Sequence, residues 1–297
     1  MIGFGYLSVW KGWFTREGAD VLMKFTQNFA IPCLLFSAIA RLDLAADFDW
    51  KLLAVYFTAA GTCFVLGMIG ARHLFGRPWP DAVAIGFVCL FANSVLLGLP
   101  ITERAYGADA LGPNYAIISI HAAFCYTVGI ISMEIALSEK SKGGIAILNS
   151  VIRAVFRNAL VLGLAAGFFV NILSIPVPGV VWDGLGLMVQ AAIPAALFGL
   201  GGILVQYRPE GDLLTIAFCL LVTLVICPVL VFVGGSMSGL EVQQFRSAVL
   251  NGAMAPGVNV YVFANMYGVA KRVAASTVLL GTGLSIFTVW IWLSLLP

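Results

Sequence analysis

Charge is what this sequence has least of. Asp, Glu, Lys and Arg together make up 10% of its 297 residues, against roughly 25% in an average soluble domain. Thirty charged side chains cannot clothe a water-soluble protein of this length, so a soluble enzyme is excluded, as is a disordered chain. The net charge of +2 has no basic cluster behind it, which excludes a nucleic-acid partner. No GxxxxGK[ST] motif occurs, so ATP does not drive this chain directly. His73 and His121 are the only histidines and lie far apart, which excludes a histidine-rich metal centre. The six cysteines (Cys33, Cys63, Cys89, Cys125, Cys219, Cys227) show no CxxC spacing and sit in apolar runs; they read as reduced packing residues, with neither a metal nor a cofactor implied.

What is present is hydrophobicity: 61% of residues, with a mean hydropathy of +1.01. Residues 52–71, 82–102, 110–133, 158–182, 184–207, 213–240, 247–270 and 273–297 contain no Asp, Glu, Lys or Arg, and 25–40 is a ninth run, lengthened by Val21, Leu22 and Met23. Each is long enough for a helix to cross about 30 Å of hydrocarbon. Nine full membrane spans are expected in an all-α polytopic membrane protein, since strands of a barrel would alternate. Ile2 to Trp13 is apolar but interrupted by Lys11, lacks the basic start and cleavage site of a signal peptide, and reads as the second half of a first helix, making ten. Residues 138–157 form the one sizeable extramembrane stretch, either an amphipathic interfacial helix with Ile145, Ile147, Leu148, Val151, Ile152 and Val155 as its apolar face or a plain linker. Of the 16 Lys and Arg, twelve fall in the connections after spans one, three, five, seven and nine. The positive-inside rule places those connections in the cytoplasm and both termini outside a cell (inner) membrane, provided the first helix is complete.

The halves resemble each other. Phe29-Ala-Ile-Pro-Cys-Leu-Leu-Phe-Ser37 aligns with Ala191-Ala-Ile-Pro-Ala-Ala-Leu-Phe-Gly199, each copy preceded by an amide, Asn28 or Gln190. Ala92–Gly107 aligns with Ala253–Gly268 at nearly the same offset, both ending in Tyr-Gly. The repeat unit holds five helices. Five is odd, so the second unit is inverted in the membrane, giving a 5+5 architecture over residues 1–137 and 158–297.

The fourth span carries Asn93, Ser94, Gly98 and Pro100, and the ninth carries Asn251, Gly252, Pro256, Gly257 and Asn259. Pro removes an i→i−4 hydrogen bond and Gly weakens a helix. Breaks at matching places in two inverted halves point to a substrate site at mid-membrane, where freed N–H groups and a positive half-helix end suit an anion. The plainer alternative is a pair of proline kinks relieved by Ser or Asn back-bonding. Pro32 and Pro194 kink the second and seventh spans; either they pack a scaffold or Asn28 and Gln190 also reach the cavity.

Asn93-Ser-Val-Leu-Leu-Gly-Leu-Pro100 with Tyr106-Gly107, and Ala255-Pro-Gly-Val-Asn-Val-Tyr-Val-Phe-Ala-Asn-Met-Tyr-Gly268, resemble the fourth- and ninth-helix motifs of the auxin efflux carrier family. Gly3-Phe-Gly-Tyr6 and Asn28–Phe36 fit its first two helices, so the resemblance covers essentially the whole chain. It implies ten helices in two inverted repeats, a scaffold and a transporter domain, and fourth and ninth helices that cross at their breaks, where a substrate carboxylate binds. Bacterial relatives are linked to malonate and similar dicarboxylates, plant relatives to auxin; a homodimer is also implied. Asn93 matches the Asn that follows the crossover proline of plant relatives, Ser94 a following Thr, and Pro256 the crossover proline of the ninth helix. Ala92 stands where those relatives have Pro, which implies a softer first break.

Lys24, Glu103, Arg104, Glu134 and Asp183 lie near span ends and are expected to snorkel to the interface. His121 lies inside the fifth span. It either titrates near neutral pH and couples transport to protons, or is a neutral residue bonded to a carbonyl. No carboxylate cluster supports a built-in sodium site, although backbone carbonyls alone can make one. The sequence therefore reads as a secondary active or facilitative transporter of a small organic anion, with H+ or Na+ as candidate coupling ions and the lipid bilayer as its surroundings. An anion channel or a non-transporting sensor of the same fold is the alternative, and no acid/base constellation supports an intramembrane enzyme.

Overall fold

A chain with so few charges must satisfy its backbone internally, and helices do that within a single segment. The computed structural model describes residues 1–42, 44, 48–137, 152, 156, 159–207 and 212–297. The described residues are helical with no strand; their β-pairing is one isolated bridge, Ala92↔Pro256. The α-helices are α1 (Ile2–Trp10), α2 (Arg16–Phe25), α3 (Ile31–Ala40), α4 (Trp50–His73), α5 (Trp79–Leu90), α6 (Leu99–Tyr106), α7 (Gly112–Leu137), α8 (Ala159–Ile172), α9 (Gly179–Leu204), α10 (Leu213–Leu221), α11 (Cys227–Ser238), α12 (Val242–Gly252), α13 (Asn259–Tyr267) and α14 (Lys271–Leu295). The stretch 138–157 lies outside the described residues except for Ile152 and Phe156, both helical and exposed.

Among the described residues, six uninterrupted helical segments are long and apolar enough to cross a membrane, against the nine full spans expected: Arg16–Ala40, Trp50–His73, Ala108–Leu137, Gly179–Leu204, Leu213–Ser238 and Lys271–Leu295. The shortfall has local causes. The runs 82–102 and 247–270 each hold a break, and the run 158–182 stops being helical at Ile172, before Pro176 and Pro178. Uncharged length measures what leaves water, not where a helix is continuous.

Three turns of π-helix, Thr26–Ala30, Ser94–Gly98 and Val222–Ile226, each precede a helix with Pro as its second residue: Pro32, Pro100 and Pro228. Pro has no N–H to donate and crowds the carbonyl four residues back. Widening the preceding turn by one residue relieves that crowding without ending the helix. Pro194, by contrast, sits inside α9, which is α-helical throughout.

The chain forms two compact units, each drawn from both of its halves. Unit 1 comprises Met1–Leu44 and Arg153–Tyr207; unit 2 comprises Ala45–Ile152 and Arg208–Pro297. In unit 1, α1 crosses α9 so closely that a Cβ at Gly5 would collide with the Phe198 carbonyl, and one at Gly201 with the Ile2 carbonyl. Small residues let helix backbones approach where lipid offers no hydrophobic drive for association. Asn171 donates to the Ile39 and Leu42 carbonyls, both at 2.8 Å, closing the end of α3. Arg41 stacks on Trp182 with its guanidinium 3.9 Å from the ring centre.

In unit 2, α4 packs along α5, with Gly67 against Cys89 and Gly86 against the Phe64 carbonyl. Hydroxyls inside the helices bond their own backbone one turn back, as Thr223 does to Cys219 and Thr277 to Val273. Asp212 caps α10, accepting from the Leu214 and Thr215 amides, from the Thr215 hydroxyl at 2.6 Å and from Arg77 at 3.3 Å. The Thr215 hydroxyl, then the amides and Arg77, hold its carboxyl below the usual aspartate range. Lys24, Glu103, Arg104 and Asp183 are exposed, but Glu134 is buried on α7 beside Tyr267 of α13. Its packing against a neighbouring helix overrides the expectation that it snorkels.

Candidate functional site

Two helices of unit 2 stop within apolar sequence. α5 ends at Leu90 and helical structure resumes at Ser94; α12 ends at Gly252 and resumes at Asn259. The two gaps meet as the antiparallel bridge. The Asn93 N–H donates to the Ala255 carbonyl at 2.8 Å, and the Gly257 N–H donates to the Phe91 carbonyl at 2.9 Å. Ala92 and Pro256 face each other between these bonds and contribute to neither, so the proline costs no pairing. A softer first break does not result from Ala92: Phe91 (φ −91°, ψ 88°) and Asn93 (φ −82°, ψ 58°) have left helical geometry, held by the bridge instead of by a proline.

Asn93 then starts the next helical stretch. Its Oδ1 accepts from the Leu96 N–H at 3.3 Å, the role of an N-cap. Its Nδ2 is buried with no hydrogen-bond partner. The buried Ser94 hydroxyl makes no hydrogen bond either, and lies within reach of the Tyr56 phenol. The Tyr56 hydroxyl stands 3.4 Å from Nδ1 of His121, whose ring also interacts with the Ala92 backbone, packs edge-on against Phe91 with centroids 4.8 Å apart and touches the Cys125 thiol. Tyr56, Cys89, Phe91, Ala92, Thr223 and Pro256 help to line a small pocket here. Phe87 of α5 stacks on Phe263 of α13 with centroids 3.9 Å apart, so the two broken helices are also braced by their aromatic rings.

One turn beyond Asn93 lies a second polar cluster that sequence reasoning did not assemble. Asn114 Nδ2 donates to the Ser247 hydroxyl at 2.9 Å, Thr102 donates to Asn114 Oδ1 at 3.5 Å, and Asn251 Nδ2 donates to Asn114 Oδ1 and to the Ser247 carbonyl. All four side chains are buried. Asn251 Oδ1 has no partner and lies 3.0 Å from where a Cβ of Gly98 would stand. Ser247 and Asn251 share a helix face four residues apart, which was a legible signal; that Asn114 of the fifth span meets them was not.

The structure thus brings Asn93, Ser94, Gly98, Pro256 and Gly257 together in unit 2, with Asn259 half-buried at the start of α13, Pro100 on the second turn of the broken span and His121 against Phe91. Asn28, Gln190, Pro32 and Pro194 are borne by unit 1, where Asn28 and Gln190 are exposed.

Among the described residues, two discontinuous helices joined by backbone pairing and six helical segments of membrane-spanning length fit a membrane transport protein by class. The family model described as membrane transport protein matches residues 1–293, and this chain belongs to that family, the one that includes the auxin efflux carriers. It is 27% identical over 295 residues to a protein of Rhizobium meliloti (strain 1021) named "Putative malonate transporter", covering 97% of this chain and 90% of that one. It is 24% identical over 297 residues to the "Uncharacterized transporter YfdV" of Escherichia coli (strain K12), covering 97% and 92%. It is 18% identical over 314 residues to "Auxin efflux carrier component 5" of Arabidopsis thaliana, covering 95% and 89%.

Proposed function

We propose that this chain is a secondary active or facilitative transporter of a small organic anion, a malonate-like dicarboxylate or another carboxylate, across the cytoplasmic membrane. In this reading ten helices form two inverted five-helix repeats, and the substrate carboxylate binds where the fourth and ninth cross. The observation that carries the reading is the Asn93 amide, a buried hydrogen-bond donor without a partner beside the backbone bridge. A buried donor left unsatisfied is expensive, on the order of 1–3 kcal/mol, and is retained where a ligand fills it. Ser94, Pro256, Gly257 and Asn259 complete the candidate contacts. The malonate named for the Rhizobium relative and the auxin named for the plant relative are both carboxylates, which supports the class and leaves the particular anion to experiment. His121, hydrogen-bonded among Tyr56 and the crossover backbone, is the candidate for proton coupling.

The test is uptake of labelled malonate and other small carboxylates into proteoliposomes, with and without an imposed pH gradient. Saturable uptake that Asn93→Ala lowers at least ~10-fold is expected, because the lost interaction is a hydrogen bond to a charged ligand. Gradient-driven uptake assigns proton coupling; uptake indifferent to the gradient removes His121 from the mechanism. No carboxylate flux at all sinks the proposal.

A further inference from the structure

We infer that the crossover takes its substrate with one negative charge and one hydrogen-bond donor: the hydrogen-dicarboxylate monoanion, not the dianion. This rests on the carrier function proposed above and names the form of substrate that the same site selects.

Two orphaned amide atoms of opposite character carry the inference. Asn93 offers a donor, because its Oδ1 is fixed by the Leu96 N–H and leaves Nδ2 free. Asn251 offers an acceptor, because its Nδ2 is fixed by the Ser247 carbonyl and Asn114 and leaves Oδ1 free. Both side chains are at least nine-tenths buried. Gly98 touches both: its N–H donates to the Asn93 carbonyl, and its Cβ position lies 3.0 Å from Asn251 Oδ1.

A carboxylate suits Asn93 Nδ2 and repels Asn251 Oδ1. A carboxylic acid O–H or an amide N–H satisfies Asn251 Oδ1. The charges nearby give the same answer. No Lys or Arg is buried among the described residues. The titratable groups facing this region are Tyr56 and Cys63 from α4, Cys89 from α5, His121, Cys125 and Tyr126 from α7, Cys219 from α10 and Cys227 from α11, with Glu134 beside Tyr267 further along α7 and α13, and none of them is a fixed cation. Arg246, next to Ser247 on α12, is engaged elsewhere, with the Pro297 carbonyl and the Tyr106 ring. One anionic charge can be met by amide and backbone donors; a second, desolvated with no cation to pair, cannot be held cheaply.

The experiment compares malonate, malonamate (singly charged, with an amide donor) and monomethyl malonate (singly charged, with no donor at the ester) in proteoliposomes. It is run over the pH range in which the lone carboxyl of the last two stays ionised. Malonate uptake should follow the concentration of its monoanion as pH changes, while malonamate uptake stays flat. In the wild type the half-saturating concentration of monomethyl malonate should exceed that of malonamate by ~10-fold, the worth of one satisfied hydrogen bond. That ratio should fall towards one in Asn251→Ala, and also in Gly98→Ala, which sets a methyl against Asn251 Oδ1 without removing any bond of the Asn114 cluster. Malonate uptake that follows the dianion overturns the inference. So does a malonamate profile with the same pH dependence as malonate, which would place the proton on the protein, and so does a wild-type ratio of one. Failure of every carboxylate to enter is a different result, which removes the carrier function itself.

Discussion

The two breaks that meet in unit 2 are made differently. The first is short, Phe91 to Asn93, contains no proline, and is followed at once by an N-cap and a π-turn. The second runs from Ala253 to Val258, contains Pro256 and Gly257, and leads into α13 with no side-chain cap. Pro256 has no N–H to give a helix, so the second break has a local cause; Ala92 has no such bar, and the backbone around it is held out of the helix by its bridge partner. The first break is therefore conditional on the second. Each arm also carries an unpartnered amide atom, Nδ2 of Asn93 on the first and Oδ1 of Asn251 on the helix that leads into the second.

The largest effect should come from separating the arms. A Cβ at Gly257 meets Phe91 and Asn93 at ordinary contact distances of 3.5 and 3.7 Å, so Ala is accommodated and a branched side chain is not. Gly257→Leu should abolish uptake and lower thermal stability by several kcal/mol through overpacking and loss of the bridge, read by proteoliposome flux and detergent melting. Asn93→Asp comes next. It keeps the cap oxygen for Leu96 and replaces the free donor by a second acceptor, so the fold should survive while anion uptake is lost; uptake retained at wild-type rate would end the assignment of Asn93 to the substrate. Ser247→Ala removes a buried hydroxyl that accepts from Asn114, and should destabilise by about 1–3 kcal/mol with a smaller change in uptake. The smallest effect is expected from Ala92→Pro. The bridge uses the Phe91 carbonyl and the Asn93 N–H but nothing of Ala92, and Phe91 (φ −91°, ψ 88°) is already outside the α region that a following proline disfavours. Melting and flux should stay near wild type; a large loss would mean that the first break is held by more than its bridge to the second.

Away from the crossover, the Asp212 cap gives a sign to check. Its carboxyl is held low by Thr215, the backbone amides and Arg77. A depressed carboxyl contributes stability that is present above the unfolded-state value and disappears as pH falls through the folded one. Acidification from pH 7 to about 5 should leave this contribution intact, and an Asp212→Asn melting curve should differ from wild type by the same small amount at both values.

Much of this was legible in the sequence. Uncharged runs marked the apolar helices, and Pro256 with Gly257 marked the second break; the first falls at Phe91–Asn93, ahead of Gly98 and Pro100, which lie in the helical stretch that follows it. What hydropathy does not encode is partnership. That Asn93 pairs with Ala255, or that Asn114 meets Ser247 and Asn251, depends on contacts between residues more than a hundred positions apart. The π-turns before Pro32, Pro100 and Pro228 had a signal in the prolines themselves, yet Pro194 shows that the same residue also fits an unbroken helix. The burial of Glu134 was hidden for a related reason: its place near a span end was readable, but the helix that covers it was not.

The bridge at Ala92 and Pro256 also bears on how the protein is made. Phe91 and Asn93 are synthesised about 160 residues before the segment that satisfies them, and in hydrocarbon there is no water to stand in for the missing partner. During that interval the first half holds an exposed carbonyl and N–H in the middle of a nascent span. A chain interrupted after residue 137 should then be a substrate for membrane quality control and not a stable half-protein, and co-expressing the two halves should rescue its lifetime.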